Sequence, residues 1–378
     1  MENLEERTVD TATFACNSCG ADLKYKPGTE HLNCEYCGAE NEIPKLDAEI
    51  NELDFLTYLQ DKSEKEDLLS ENFVKCESCG ASSTLEPNIT SAHCPYCSTP
   101  LIVENAHDEK VIQPKSLLPF KLDKMEAKGA FKKWVDKLWF APGKLKKATL
   151  NFDHFKGVYI PYWTYDTDTF SQYLGQRGDY YYVTETYTET EDGKSVTKTR
   201  QVRKTRWRTV SGTVSKAFDD ILVVATNSLP RKYLNKLEPW DMENLKPFDK
   251  SFLSGFITER YQVSLSDGFD IAKGIAETEI RELVRYDIGG DEQRITTLNT
   301  GYNDITFKHL LLPVFVSAYN YKGKLYQFLV NGRTGEVQGQ RPWSWLKIAA
   351  TVIAVILVIA TIIYFVKTGQ APPQEAGY

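Results

Sequence analysis

The sequence predicts an α+β protein built from two small four-cysteine zinc ribbons, an antiparallel α+β domain and one C-terminal transmembrane helix. Three observations carry that reading. All eight cysteines fall into two quartets of identical spacing near the N-terminus. Alternating apolar and polar residues with tight-turn dipeptides recur through the middle of the chain. Near the end, the nineteen residues Ile348–Val366 contain no charge, no Gly and no Pro.

The 378 residues are 42% hydrophobic and 26% charged, as suits a globular chain of two or three domains rather than a disordered one. A net charge of −7 gives no general attraction for nucleic acid or anionic lipid, so either would need a local basic patch. The expected order is an acidic tail (1–12), a ribbon (13–43), an acidic helical linker (44–72) and a second ribbon (73–104). An α+β domain (105–341), a transmembrane helix (345–367) and a short polar tail (368–378) follow. The opening MENLEERTVDTATF has no apolar core of a signal peptide, so none is expected.

Cys16, Cys19, Cys34 and Cys37 form C-x2-C-x14-C-x2-C, and Cys76, Cys79, Cys94 and Cys97 repeat that spacing. Two close pairs on tight turns place four thiolates at the corners of a tetrahedron, the arrangement of a structural zinc site. Gly20, Gly38 and Gly80 follow a second cysteine, where the turn needs an unhindered backbone; Ser98 departs from the pattern at the fourth turn. Disulfides conflict with a reducing compartment, and a redox CxxC needs a thioredoxin-like unit that is not visible. Two structural Zn2+ ions are therefore expected. His31 and His93 are surplus to complete shells, and a closed shell leaves no position for a catalytic water. Between Cys76 and Cys97 there is no Lys or Arg, only Glu77 and Glu86. The first ribbon sets Lys24 and Lys26 against Asp22, Glu30 and Glu35, so both ribbons suit protein contacts better than phosphates.

From Leu46 to Ser70 the residues Leu46, Ile50, Leu53, Leu56 (or Phe55) and Leu59 recur at helical spacing, predicting a helix with one apolar stripe. Met125–Trp139 reads as an amphipathic helix with a basic polar face, in a stretch (115–147) holding ten lysines against Asp123, Glu126 and Asp136. That face suits either anionic headgroups beside an anchor or plain solvent. Strand alternation in GVYIPYWTYDTDTF leads to a hairpin, in which Tyr180–Thr190 and Ser195–Val210 flank Asp192-Gly193. Pairing about that turn sets Glu185 opposite Arg200 and Val183 opposite Val202. Six Lys or Arg from Lys198 to Arg208, with Trp207 and tyrosines, suit either a nucleic-acid surface or, preferably, cross-strand ion pairs in solvent. The second half echoes the first: Ala127 begins AKGA and Ala272 AKGI, Thr149-Leu150-Asn151 matches Thr297-Leu298-Asn299, and Pro161 matches Pro313. Two helix-plus-meander units from a duplication would explain this, the second with turns at Lys322-Gly323 and Gly332–Gly335.

At 1.5 Å per residue Ile348–Val366 spans most of a hydrocarbon core about 30 Å thick. Trp343 and Trp345 before it, and Tyr364 and Phe365 at its close, form the expected interfacial belt. Arg333, Arg341 and Lys347 precede it and only Lys367 follows, which predicts a cytoplasmic N-terminal body in the cell membrane.

No GxxxxGK[ST], HExxH, GxSxG or GxGxxG occurs, so no enzyme is expected. Asp166-Thr167-Asp168-Thr169 resembles the aspartyl nucleophile motif of haloacid-dehalogenase phosphatases, but Pro161 interrupts the run and no βαβ alternation follows. His107, His154 and His309 have no partner pattern and read as surface or packing residues.

Together CxxCG…CxYCG, WFAP, GVYIPYWTYD, VSGTV…FDD and LLPVFVSAYNYKGKLYQFLVNGRTGEVQGQRPWS resemble the TFIIB-type zinc-ribbon membrane proteins of bacteria over nearly the whole chain. A helicase-like role, sometimes ascribed to such proteins, has no motor motif to support it here. Members accompany phage-shock-protein-A-like and SPFH-type proteins, so the resemblance implies a membrane-bound adaptor or scaffold that recruits membrane-stress proteins. The expected partners are the lipid bilayer and membrane-associated proteins, with no small-molecule substrate. The alternative is a membrane-tethered nucleic-acid-binding regulator using hairpin 180–210.

Overall fold

Three long strands dominate the structure because their sequences alternate without a break. In the computed structural model, which describes residues 14–44, 50–60, 68–84, 92–101, 106–142, 155–191, 194–321 and 324–368, β11 (Lys156–Glu191), β12 (Lys194–Val224) and β15 (Glu292–Tyr321) lie side by side with β11 central. It runs antiparallel to both of these neighbours, and Glu185↔Arg200 and Val183↔Val202 hold as the turn position predicts. The turn dipeptides Asp192-Gly193 and Lys322-Gly323, Thr149-Leu150-Asn151, His154, the acidic tail 1–12 and 369–378 of the polar tail lie outside the described residues.

Smaller elements complete the sheet. A short strand, β4 (Leu53–Asp54), joins β15 beside helix α1 (Phe55–Gln60). Strands β10 (Ser116–Leu117), β13 (Lys246–Pro247) and β14 (Ile257–Thr258) add along its edges, and β16 (Lys324–Asn331) and β17 (Val337–Gly339) extend β15 through the Gly332–Gly335 turn. Overall the chain is α+β.

The predicted acidic helix Leu46–Ser70 is mostly not one. Among its described residues only Phe55–Gln60 is helical; Leu53–Asp54 pairs with Phe307 and Thr306, and Leu68 begins a strand, β5 (Leu68–Lys75), antiparallel to β9 (His107–Ile112). Phe55 is buried against Tyr165, Phe269 and Phe307, while Leu56 and Leu59 of the supposed stripe are exposed. Tertiary pairing outweighed a helical spacing that short segments satisfy by chance.

Helix α2 (Lys124–Lys137) starts at a capping box, Asp123 accepting from Met125 and Glu126 amides while the Glu126 carboxylate accepts from Asp123 N–H. Beyond the helical turn α3 (Arg231–Leu234), helix α4 (Leu265–Ile288) lies on the sheet. Trp163 Nε1 donates to Val263 O at 3.0 Å and Tyr165 Oη to Leu265 O at 2.6 Å, so two buried aromatic donors fix where α4 begins. A Cβ on Gly268 would lie 2.3 Å from Tyr165 Oη, which explains the glycine at that contact.

Both predicted repeat units run helix, long strand, return strand, and their long strands pair with each other: Pro161↔Leu311 and Tyr159↔Pro313 lie symmetrically about Ile160↔Leu312. Each proline stands one residue past the end of its own return strand, Tyr162↔Val224 and Val314↔Asn331. There its carbonyl accepts the next amide, Ala225 at 3.0 Å and Gly332 at 2.8 Å. A proline is tolerated inside these strands because the ladder on that side ends there.

Residues 158–165 of β11 are buried on both faces. Val158, Ile160 and Tyr162 face one cluster with Cys76, Cys94 and Tyr96; Tyr159, on the other face, joins a cluster with Cys16, Leu23, Tyr25, Cys34, Phe120 and Phe328. One ribbon therefore covers each face of the sheet. Helix α5 (Trp345–Thr368) leaves this body, and its stretch Trp345–Val366, 22 residues with none buried in its apolar window, is long and apolar enough to span a membrane.

Candidate metal centres

Each cysteine pair sits on a turn whose backbone closes on itself. Gly20 N–H donates to Cys16 O, Gly38 to Cys34 O, Gly80 to Cys76 O and Ser98 to Cys94 O, all at 2.8–2.9 Å. The residue after each second cysteine takes a left-handed conformation, with φ of 76°, 75° and 76° at the three glycines and 60° at Ser98. Ser98 thus departs in residue type but not in shape. A Cβ there costs about 1 kcal/mol, so Ser98→Gly should stabilise the second ribbon by roughly that amount, read as a raised midpoint in thermal unfolding.

The turns bring the sulfurs together. Cys16–Cys37 and Cys76–Cys97 are 3.6 Å apart, Cys19–Cys34 and Cys79–Cys94 3.5 Å, and within each quartet all four sulfurs lie within 4.8 Å of one another. A tetrahedron with metal–sulfur distances of about 2.3 Å has edges of about 3.8 Å, so the spacing fits zinc and is far too long for disulfides. The predicted ligands Cys16, Cys19, Cys34, Cys37, Cys76, Cys79, Cys94 and Cys97 are all brought together, in two sites able to hold a metal ion. Amide N–H groups of Cys19 and Ser18 aimed at the Cys16 sulfur pull its thiol down to about 6, favouring the thiolate a metal needs. Neither His31 nor His93 belongs to a ligand set.

One short segment sews both ribbons to the body. Strands β1 (Leu23–Tyr25), β2 (His31–Cys34) and β3 (Glu40–Glu42) form the first ribbon's sheet, and β6 (Ser82–Ser83), paired with β5, and β7 (Ala92–His93), paired with β8 (Pro100–Leu101), belong to the second. Tyr25 N–H donates to Ser254 O and Ser254 Oγ to Leu23 O. Four residues on, Thr84 of the second ribbon exchanges hydrogen bonds with Thr258, and Arg260 N–H donates to Ser82 O. Gln327 Nε2 donates to Tyr96 O within the Cys94–Cys97 turn. No periodic signal in residues 254–260 marks this role.

The aspartyl motif folds differently from a phosphatase nucleophile. Asp166 lies at a bulge where β11 slips register against both antiparallel neighbours, and Asp168 is exposed beyond it. Asp166, Asp219 and Asp220 form an acidic group. Asp220 N–H donates to Asp166 Oδ1 at 2.6 Å, and the nearly buried Lys308 bridges Glu52 (2.8 Å) and Asp220 (2.9 Å). Burial and the Glu52 carboxylate push Asp166 up to about 7. Burial opposes ionisation of Glu52, but hydrogen bonds from Asp166, Lys308 and Thr306 hold it down to about 2. A compact ion cluster with one shared proton results, across strands that sequence alone does not connect. His309, expected as a packing residue, is buried, its Nδ1 2.7 Å from Ile112 O.

Beyond the last β15 pair, Gly178↔Glu292, the hairpin continues for thirteen residue pairs, Asp179↔Arg206 to Glu191↔Lys194, an arm roughly 40 Å long. Five of the six cations on Lys194–Arg206 are engaged internally. Lys198 pairs with Glu189, Lys204 and Arg200 with Glu185, and the Arg203 and Arg206 guanidinium groups lie over Tyr180 and Tyr181.

Among known proteins, the chain is similar to the uncharacterized protein YdjG of Bacillus subtilis (strain 168), 27% identical over 346 residues that cover 89% of this chain and 92% of that one. No family model and no solved structure matches.

Proposed function

We propose that this protein is a single-pass, membrane-anchored scaffold, its body in the cytoplasm, that presents protein-binding surfaces held rigid by two structural zinc ions. The observation that carries the reading is the unburied apolar helix α5 on a body with two four-cysteine groups, each able to hold a metal ion. An apolar helix of that length left in water would be costly, and a bilayer removes the cost. Complete thiolate shells hold shape and leave no open coordination position for chemistry. The resemblance to zinc-ribbon membrane proteins supports partners of the membrane-stress class. Internal pairing of the arm's cations favours a protein-facing surface over a nucleic-acid one.

The expected result is that the full chain stays in the membrane pellet after alkaline carbonate extraction, whereas a chain lacking Ile348–Val366 is released. Crosslinking in native membranes should then recover the same membrane-associated proteins with the full chain and not with the shortened one. Complete carbonate release of the full chain, or recovery of nucleic acid alone, would overturn the proposal.

A further inference from the structure

The junction between α2 and α5 fixes more than an anchor requires. Lys347 Nζ donates to Trp139 O at 3.0 Å and to Ala141 O at 2.8 Å, and Ser344 N–H donates to Phe140 O at 2.8 Å. The Phe140 and Trp343 rings lie 6.4 Å apart, and the Arg341 guanidinium sits over Trp343. Lys347 directly precedes Ile348, the first residue of the uncharged run, so in a spanning α5 it stands at the hydrocarbon boundary. Its two hydrogen bonds then hold the turn after α2 at the same depth. That turn is oddly apolar for a solvated surface: Trp139 is 76% exposed, beside Trp345 at 81% and Leu346 at 85%. Trp belongs at that depth, where one side of the ring is apolar and the other wet. Lys132, Lys133 and Lys137 are exposed on the same helix. Residues 124–141 carry five Lys against Glu126 and Asp136, a local charge of +3 in a chain of −7.

We propose that α2 and its following turn form a second membrane contact, with Trp139 in the interfacial layer and Lys132, Lys133 and Lys137 on the headgroups of anionic phospholipids. This rests on the reading that α5 spans a bilayer. The occupant is argued from charge complementarity and from continuity with the anchor. A single lysine near an anionic surface gains modestly, but three held at fixed depth act together.

The test uses the full chain reconstituted into vesicles of phosphatidylcholine with 30% phosphatidylglycerol, after carbonate resistance has been confirmed. Bromine placed high on the acyl chain quenches nearby tryptophan. The quenchable fluorescence should fall by about a third in Trp139→Phe, one of three interfacial tryptophans with Trp343 and Trp345. With bromine carried only by phosphatidylglycerol, quenching of Trp139 should be roughly twofold stronger than with the same mole fraction on phosphatidylcholine. The triple variant Lys132→Gln, Lys133→Gln, Lys137→Gln should lose that preference while keeping its metal content and unfolding temperature. A carbonate-resistant protein whose quenching is unchanged by Trp139→Phe, or equal for both lipids, overturns the second contact and leaves the anchor standing. Release by carbonate overturns the anchor itself.

Discussion

Cys34→Ser with Cys37→Ser should leave the chain with about one metal ion in place of about two and unfold the first ribbon. Structural zinc contributes on the order of 10 kcal/mol to a site of this kind, comparable with the whole stability of a typical domain. Cys34 is 1% exposed and shares its cluster with Phe120, Phe252 and Phe328, so the loss uncovers part of the sheet as well. Stability should fall by about 5 kcal/mol or more, a drop in Tm of roughly 10 °C or more. The second ribbon lies on the opposite face and should keep its metal. Elemental analysis and thermal unfolding of the purified protein read both effects, with thiol alkylation of Cys76–Cys97 as the internal control. Unchanged metal content in the double variant would remove zinc from the account.

Lys308→Met should be strongly destabilising for a change that removes no apolar core side chain. Lys308 is 8% exposed and is the cation bridging Glu52 and Asp220, with Asp166 hydrogen-bonded to Glu52. Removing one partner of a nearly buried pair leaves uncompensated charge, a cost of about 3 kcal/mol. The pH dependence follows from Asp166. Its carboxyl titrates near 7 when folded and near its ordinary 3.8 when unfolded, so between those values the folded state holds a proton that the unfolded state has lost. Stability from this group is therefore greatest below about pH 4 and declines as pH rises through 7. Glu52 works the other way: its contribution is present above its ordinary 4.5 and is lost as pH falls towards 2. The Lys308→Met deficit should thus be larger at pH 8 than at pH 5. Adding Asp166→Asn should recover about 1 kcal/mol at pH 8, a figure reduced from the full shift because solvent reaches this carboxyl. Urea midpoints at the two pH values measure it. A Lys308→Met variant within about 0.5 kcal/mol of the parent at pH 8 would show that the cluster is not structural.

Local signals were legible in the sequence, and contacts between distant segments were not. Cysteine spacing gives both quartets because a metal shell needs only two tight turns and a loop. The hairpin register from Glu185↔Arg200 to Val183↔Val202 follows from one turn dipeptide, since an antiparallel ladder propagates from its closed end. Three features lay beyond reach. Leu53 belongs to the helical spacing and Leu68–Ser70 closes the segment read as a helix, but both are recruited as strands by Phe307 and Val111, more than 40 residues away. Lys308 finds Glu52 across more than 250 residues, a pairing no local pattern encodes. The seating of one ribbon on each face depends on residues 254–260, which look like an ordinary loop. Ser98 is an intermediate case: its residue type suggests a weaker turn, while the backbone adopts the same left-handed shape and absorbs the strain.

The seating of the first ribbon also sets a waiting time during synthesis. Cys37 completes its quartet early, but Phe328 and Val330, which close the cluster around Cys16 and Cys34, are made about 290 residues later. At roughly 5–20 residues per second the interval is on the order of 15–60 s. Phe120, Phe155 and Tyr159 of the same cluster emerge earlier, but until residues 311–337 follow them the ribbon's apolar face is only partly covered, and on the proposed reading an ion at the four cysteines would hold its shape in the meantime. Zinc arriving late would meet a nascent chain with open thiols and uncovered aromatics, so metal supply should govern how much protein matures more than how long mature protein lasts.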